Sequence, residues 1–137
     1  MADVRLAHGC LITAHTANTG AMRGCAKPGS AVRLSHAKNP KRKYRYSWEM
    51  VQAENAHWVG INTGLSNVLV KEAVQNATVA ELHKYASIRS EVKFGQSRLD
   101  FLLQGHRHKP DCYVEVKNVT LVENATAFFP DAVSDRA

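Results

Sequence analysis

With 137 residues, 45% of them hydrophobic, the chain can fold as one compact domain or as two small ones, and its composition is that of a globular protein. Eighteen Lys and Arg against twelve Asp and Glu leave a formal charge of +6, which favours a polyanionic partner. No signal-type apolar run opens the chain and no stretch approaches the roughly 18 apolar residues a helical membrane span needs, so no membrane partner is expected. Cys10, Cys25 and Cys112 are far apart and odd in number, with no Cys-x-x-Cys spacing; reduced thiols in a cytoplasmic protein are the expectation. In that compartment the Asn-x-Thr triplets at Asn76, Asn118 and Asn124 carry no glycosylation signal.

In chain order, the first half consists of short strand-like runs broken by Gly, Pro and Asn: "CLITAHT", "SAVRLSHA", "KYRYSWEMV" and "HWVGI". They predict a small all-β unit ending near Asn62. Within the third run, alternation places Tyr44, Tyr46, Trp48 and Met50 on one face and Lys43, Arg45, Ser47 and Glu49 on the other. Such aromatics suit either a core or a nucleic-acid surface. Just upstream, "KNPKRK" gathers Lys38, Lys41, Arg42 and Lys43 around a turn built on Asn39-Pro40. Cations crowded with no acid among them repel one another, and a phosphate backbone would neutralise them.

After Asn62 the period changes to that of a helix. Asn62 or Thr63 can cap it, and Leu65, Val68, Leu69 and Ala73 form an apolar stripe with Glu72 inside it. A carboxylate turned inward there calls for a cation. From Ile88 follow three strand candidates, "IRSEVKF", "RLDFLLQ" and "CYVEVKNV", the first two joined at Gly95-Gln96-Ser97. If "GHRHKP" closes a regular hairpin between the second and third, Gln104 faces Asp111 and Asp100 faces Glu115. Opposed carboxylates destabilise a sheet, so a cation is expected between Asp100 and Glu115, and Mg2+ is the economical choice. Lys117, on the face of Glu115, can then orient a water or offset phosphate charge. His106 and His108, in a polar loop, are expected to be solvated rather than metal ligands.

A helix followed by strands, with an upstream acid and a Glu-x-Lys triplet on the next strand, resembles the PD-(D/E)xK nucleases. The blocks "NTGAMRGCAKPGS", "NPKRKYRYSWE", "GINTGLSN", "SRLDFLL", "YVEVKNVTLVE" and "FPDAVSDR" together resemble the sugar fermentation stimulation protein A family of bacteria and archaea. That resemblance implies a mixed α+β chain: an N-terminal OB-fold-like β-barrel over residues 1–62, its first strand absent, followed by a partial PD-(D/E)xK nuclease-like α/β domain over residues 63–137 that lacks its C-terminal part. An open barrel and an uncovered sheet face are then expected. It further implies a sequence-nonspecific, double-stranded DNA-binding protein linked to the regulation of sugar, notably maltose, metabolism. Asp100, Glu115 and Lys117 match the family's nuclease core, with Asp100 and Glu115 as the metal ligands, and Glu72 matches the helical acid more loosely. DNA contacts are expected at Lys38, Lys41, Arg42, Lys43 and Arg45. Two other functions stay open: a Mg2+-dependent endonuclease, and a non-catalytic protein-interaction module whose acids and lysine form only an ion network. RNA as an alternative partner and the oligomeric state also stay open.

Overall fold

A computed structural model of the protein describes residues 1–18, 20, 22–53, 57–123 and 126–129, the side chains of 122 and 123 apart. Residues 124 and 125 of the Asn124 triplet, two positions of the first Asn-Thr-Gly block and all of "FPDAVSDR" after Phe129 lie outside them. The chain divides into two units, residues 1–63 with 118–137, and residues 64–117.

The first unit is built on a five-stranded sheet of β1 (Ala2–Arg5), β2 (Leu11–His15), β3 (Val32–His36), β4 (Tyr46–Gln52) and β5 (Trp58–Gly60), in the order β1-β2-β4-β3 with β5 also on β4. A tight turn closes β1 on β2: Gly9, at φ 91°, donates its N–H to the Leu6 carbonyl, a conformation cheap only for glycine. β4 is the organising strand. It pairs in parallel with β2 near Tyr46, in antiparallel with β5 from Met50 onward, and with β3 on its other edge. A strand that changes neighbours along one edge curls its sheet, which gives the OB-like form.

The core of this unit is Ala14, Met22, Cys25, Trp48, Val51 and Ile61. Trp48 and Val51 cannot share a face of a regular strand, so the simple alternation read from the sequence fails here. The pairing slips at Glu49: Arg33 faces Met50 and Leu34 faces Trp48, leaving Glu49 as a bulge that turns the following residues over. The bulge is pinned. Its carboxylate accepts from Ser35 Oγ at 2.5 Å and Asn62 Nδ2 at 2.6 Å, and its carbonyl accepts the Ile61 N–H at 2.9 Å. Trp48 donates its indole N–H to the Met50 carbonyl at 3.0 Å, so its polar edge is satisfied within the unit. A cleft of about 1230 Å³ lies on the sheet, lined by Val4, Leu11, Val32, Leu34 and Tyr46 among others. A small hairpin, β9 (Leu121–Glu123) with β10 (Thr126–Phe128), completes the described part of the unit.

The second unit contains helix α1 (Thr63–Gln75), a short 3-10 turn at Ala80–Leu82, and an antiparallel sheet of β6 (Ser87–Phe94), β7 (Ser97–Gln104) and β8 (Cys112–Val114), with β7 in the middle. Phe101, Leu102 and Leu103 of β7 are its buried residues. The expected inward stripe of α1 is reversed. Leu65, Val68 and Leu69 are 43–61% exposed, and Glu72, on the same side, is exposed too. The opposite side, Asn67, Val70, Lys71 and Val74, is the half-buried one, because its polar members have partners on the strands: Asn67 reaches Asp100 and Lys71 reaches Ser90. Glu72 therefore needs no buried cation. Among the described residues, no helix is long and apolar enough to cross a membrane.

Candidate functional site

Asp100 sits mid-way along β7, where the sheet opens on both sides. On the β6 side the ladder pairs Ser90 with Phe101 and Val92 with Leu99, but between them Glu91 adopts φ 59° and does not pair with Asp100. A left-handed residue inside a strand is costly for a side chain with a Cβ, and such distortions gather at functional sites. Glu91 instead forms an ion pair with Arg98. On the β8 side the observed pairs are Leu103 with Cys112, Leu102 with Tyr113 and Phe101 with Val114, the register expected from a regular hairpin. The ladder stops one pair short of Asp100 and Glu115, so the strand expected to run through "CYVEVKNV" ends at Val114.

What replaces the missing pair is a side chain. Asp100 Oδ2 accepts the Val116 N–H at 2.7 Å, and Oδ1 accepts from Asn67 Nδ2 at 2.7 Å. The carboxylate thus ties α1, β7 and the segment after β8 together, and each oxygen keeps lone-pair capacity for one more partner. Glu115 and Lys117 flank Val116 and are exposed; Lys117 Nζ lies 2.6 Å from Glu115 Oε1. Asp100, Glu115 and Lys117 are therefore gathered on one short stretch around Val116. Glu72 is not joined to them by any described contact, and the residue of α1 that meets Asp100 is Asn67. Sequence reading missed Asn67 because an amide carries no charge signal, although it stands on the α1 side opposite the apolar stripe. Among the described residues, no group of three or more His, Cys, Asp or Glu gathers in a form that could hold a metal ion. Two carboxylates still suit a hard ion such as Mg2+, which keeps waters and is bound through one or two protein carboxylates plus phosphate oxygens.

The five predicted DNA-contacting cations all lie at one hairpin tip. Ala37 N–H donates to the Arg45 carbonyl at 2.7 Å, closing the loop between β3 and β4. Asn39 Oδ1 accepts the Lys41 N–H at 3.0 Å, an Asx turn that directs the chain at Pro40. Lys38, Lys41, Arg42, Lys43 and Arg45 are all exposed, and no acid occurs between Lys38 and Arg45. Lys43 Nζ stands 5.5 Å from the Tyr44 ring centre.

His106 departs from the expectation of a solvated ring. It is half-buried, and its Nδ1 accepts the N–H groups of both His108 and Lys109, each at 3.0 Å. That fixes the neutral form with its proton on Nε2. Burial, and then the charges of Lys109, His108, Lys84 and His83, lower its pKa from the ordinary 6.5. Since the folded pKa lies below the unfolded one, the stabilisation from this acceptor is complete above pH 6.5 and is lost as pH falls through the lower folded value. An NMR titration is expected to give His106 a midpoint below 6.5, with the His108 and Lys109 amide shifts moving at the same midpoint. A midpoint at or above 6.5 would exclude the double acceptor role.

An OB-like sheet followed by a helix and a three-stranded antiparallel sheet defines a two-part protein of the mixed α+β class. Family comparison gives the particular family. Residues 1–61 match the SfsA N-terminal OB domain and residues 64–137 match the sugar fermentation stimulation protein RE domain, so the chain belongs to the sugar fermentation stimulation protein family. Relatives named sugar fermentation stimulation protein homolog include one from Geobacter sulfurreducens, 57% identical over 137 residues, covering 99% of this chain and 57% of the relative. Another, from Mannheimia succiniciproducens, is 54% identical over 138 residues, covering 99% of this chain and 57% of the relative. The chain thus spans little more than half the length of these curated relatives. The structure of Pyrococcus furiosus SfsA in complex with Ca2+ aligns with a TM-score of 0.80 at 26% identity, over 93% of this chain and 53% of that one.

Proposed function

We propose that the chain acts in a sequence-nonspecific DNA-binding protein of the cytoplasm that regulates sugar, notably maltose, utilisation. The observation that carries this reading is the β3–β4 hairpin tip: Lys38, Lys41, Arg42, Lys43 and Arg45, all exposed, with no acid among them. Phosphates along a duplex are the natural counter-charge for such a tip, and counterions released there make binding fall steeply with salt. The names of the relatives support the link to sugar metabolism, and the absence of a disulfide among the described residues Cys10, Cys25 and Cys112 is in keeping with a reducing compartment. The test is fluorescence anisotropy of a labelled duplex of arbitrary sequence over a salt series. Parent protein is expected to bind with a steep slope of log K against log salt. Replacing both Lys41 and Arg42 by Ala is expected to make that slope shallower by about 2. No binding by the parent would sink the reading, and an unchanged slope in the variant would remove the hairpin from the interface.

A second reading is favoured by the Asp100 constellation and by the Ca2+ complex of the archaeal relative: a Mg2+-dependent endonuclease. Asp100 and Glu115 would hold the ion, Glu115 exchanging Lys117 for the metal. When bound, Mg2+ supplies Lewis-acid polarisation of a phosphate and a more acidic water. Lys117 would offset phosphate charge or orient a water there, Asn67 holds Asp100 in position, and the Val116 N–H fixes the second oxygen.

A further inference from the structure

Outside both sites, the second unit brings together two segments more than 20 residues apart in sequence, His83–Tyr85 and His106–Lys109. They carry His83, Lys84, Arg107, His108 and Lys109, all exposed. This is not a solvated run of charge along one loop. The scaffold that joins the segments is made of specific bonds: Ala86 N–H to the Gln104 carbonyl at 2.9 Å, Tyr85 Oη–H to the Pro110 carbonyl at 3.0 Å, and Lys109 Nζ to the Glu81 carbonyl at 2.9 Å. The His106 ring stacks at a tilt on Tyr85, 5.0 Å between centres. Gly105 sets the approach; at φ 77° it has no space for a Cβ, which would stand 2.9 Å from that of Ala86. Burial raises the Tyr85 phenol above its ordinary 10.0, followed by the charges of Cys112 and Asp111, so the hydroxyl remains a neutral donor to Pro110.

Lys84, Arg107 and Lys109 are held together here beside two acids, Glu81, whose carbonyl rather than carboxylate accepts from Lys109, and Asp111. Asp111, the acid next to the cluster in sequence, is engaged by Gln104 Nε2 at 2.7 Å. Among the described residues, no carboxylate forms an ion pair with Lys84, Arg107 or Lys109. His106 does not add to the repulsion, since its acceptor role keeps it neutral. Holding several cations on a rigid frame is unfavourable by itself and becomes favourable when a polyanion supplies the missing charge.

We propose that the His83–Tyr85 and His106–Lys109 segments form a second phosphate-contacting platform for nucleic acid, with Lys84 and Arg107 as its principal contacts. The proposal rests on the DNA-binding reading and extends it from the β3–β4 hairpin to the second unit. A pre-ordered platform of this kind tracks the backbone without reading bases, in keeping with nonspecific binding.

The experiment compares the full chain, Lys84→Ala/Arg107→Ala and Lys41→Ala/Arg42→Ala on the same labelled duplex over the same salt series, with polyglutamate as a second labelled probe. Thermal unfolding checks that each variant is folded, and Arg107→Ala alone serves if the double variant is not. The Lys84/Arg107 variant is expected to show a slope shallower by about 2, or by about 1 for Arg107→Ala alone. A folded variant with the parent's slope overturns the platform while leaving the DNA reading intact. Loss of polyglutamate affinity with an unchanged DNA slope also overturns it, assigning the cluster to acidic protein partners. A parent that binds no DNA overturns the DNA reading itself and the platform with it.

Discussion

Glu115→Ala is expected to abolish Mg2+-dependent nicking of supercoiled plasmid with a loss of stability of at most about 1 kcal/mol, whereas Asp100→Ala is expected to abolish nicking and to destabilise the fold further. The difference follows from what each carboxylate touches. Glu115 is exposed and, among the described residues, pairs with its neighbour Lys117, and a surface pair of that kind contributes about 0–1 kcal/mol. Asp100 accepts two hydrogen bonds at 2.7 Å from different elements, and its removal leaves the Val116 N–H and the Asn67 amide without an acceptor. A hydrogen bond to a charged group contributes about 1.5–3 kcal/mol where water is excluded; for a half-buried carboxylate a total loss of about 1–3 kcal/mol is the expectation. Asp100→Asn retains an acceptor and a similar shape, so it should recover part of the stability while still losing the anionic ligand. Urea unfolding with a plasmid gel, run after protein removal, reads both effects. Equal nicking by Glu115→Ala and parent, or intact plasmid from the parent, would sink the endonuclease reading and leave DNA binding ahead.

The register that brings Asp100 near Glu115 was legible in the sequence, because "GHRHKP" closes a regular hairpin and hairpin pairing is fixed by its turn. The basic hairpin was legible for a similar reason: Asn39-Pro40 marks the turn, and charge needs no tertiary context to be seen. Three features were not. The bulge at Glu49 depends on Ser35 and Asn62, each more than ten residues away, meeting one carboxylate, which no local alternation encodes. The left-handed Glu91 breaks the ladder at a residue with no turn propensity of its own. The inward face of α1 was misread because hydrophobic periodicity locates an apolar stripe but does not say what covers it. Here Asn67 and Lys71 have partners on the strands, and Leu65, Val68 and Leu69 are exposed. At the bulge and on the helix a polar side chain with a distant partner overrode a local pattern, and both Glu91 and Asn67 adjoin Asp100.

Two leucines turn this contrast into an expected result. Leu103→Ala should destabilise the second unit by about 2–5 kcal/mol, since the side chain is fully buried between β6 and β8 and truncation leaves a cavity as well as losing its transfer free energy. Leu69→Ala, the same chemical change on α1, should fall within about 0.5 kcal/mol of parent because that side chain is 61% exposed. The pair is informative because sequence periodicity alone ranks Leu69 as a core position. Chemical denaturation of both variants at several protein concentrations separates the cases. A small, concentration-independent change at Leu69 fits a stripe open to solvent, with Asn67 and Lys71 rather than the leucines fixing the helix to the sheet. A loss of about 2 kcal/mol or more that grows with protein concentration would mean that Leu65, Val68 and Leu69 are buried by association, since only a contact between chains makes apparent stability depend on concentration.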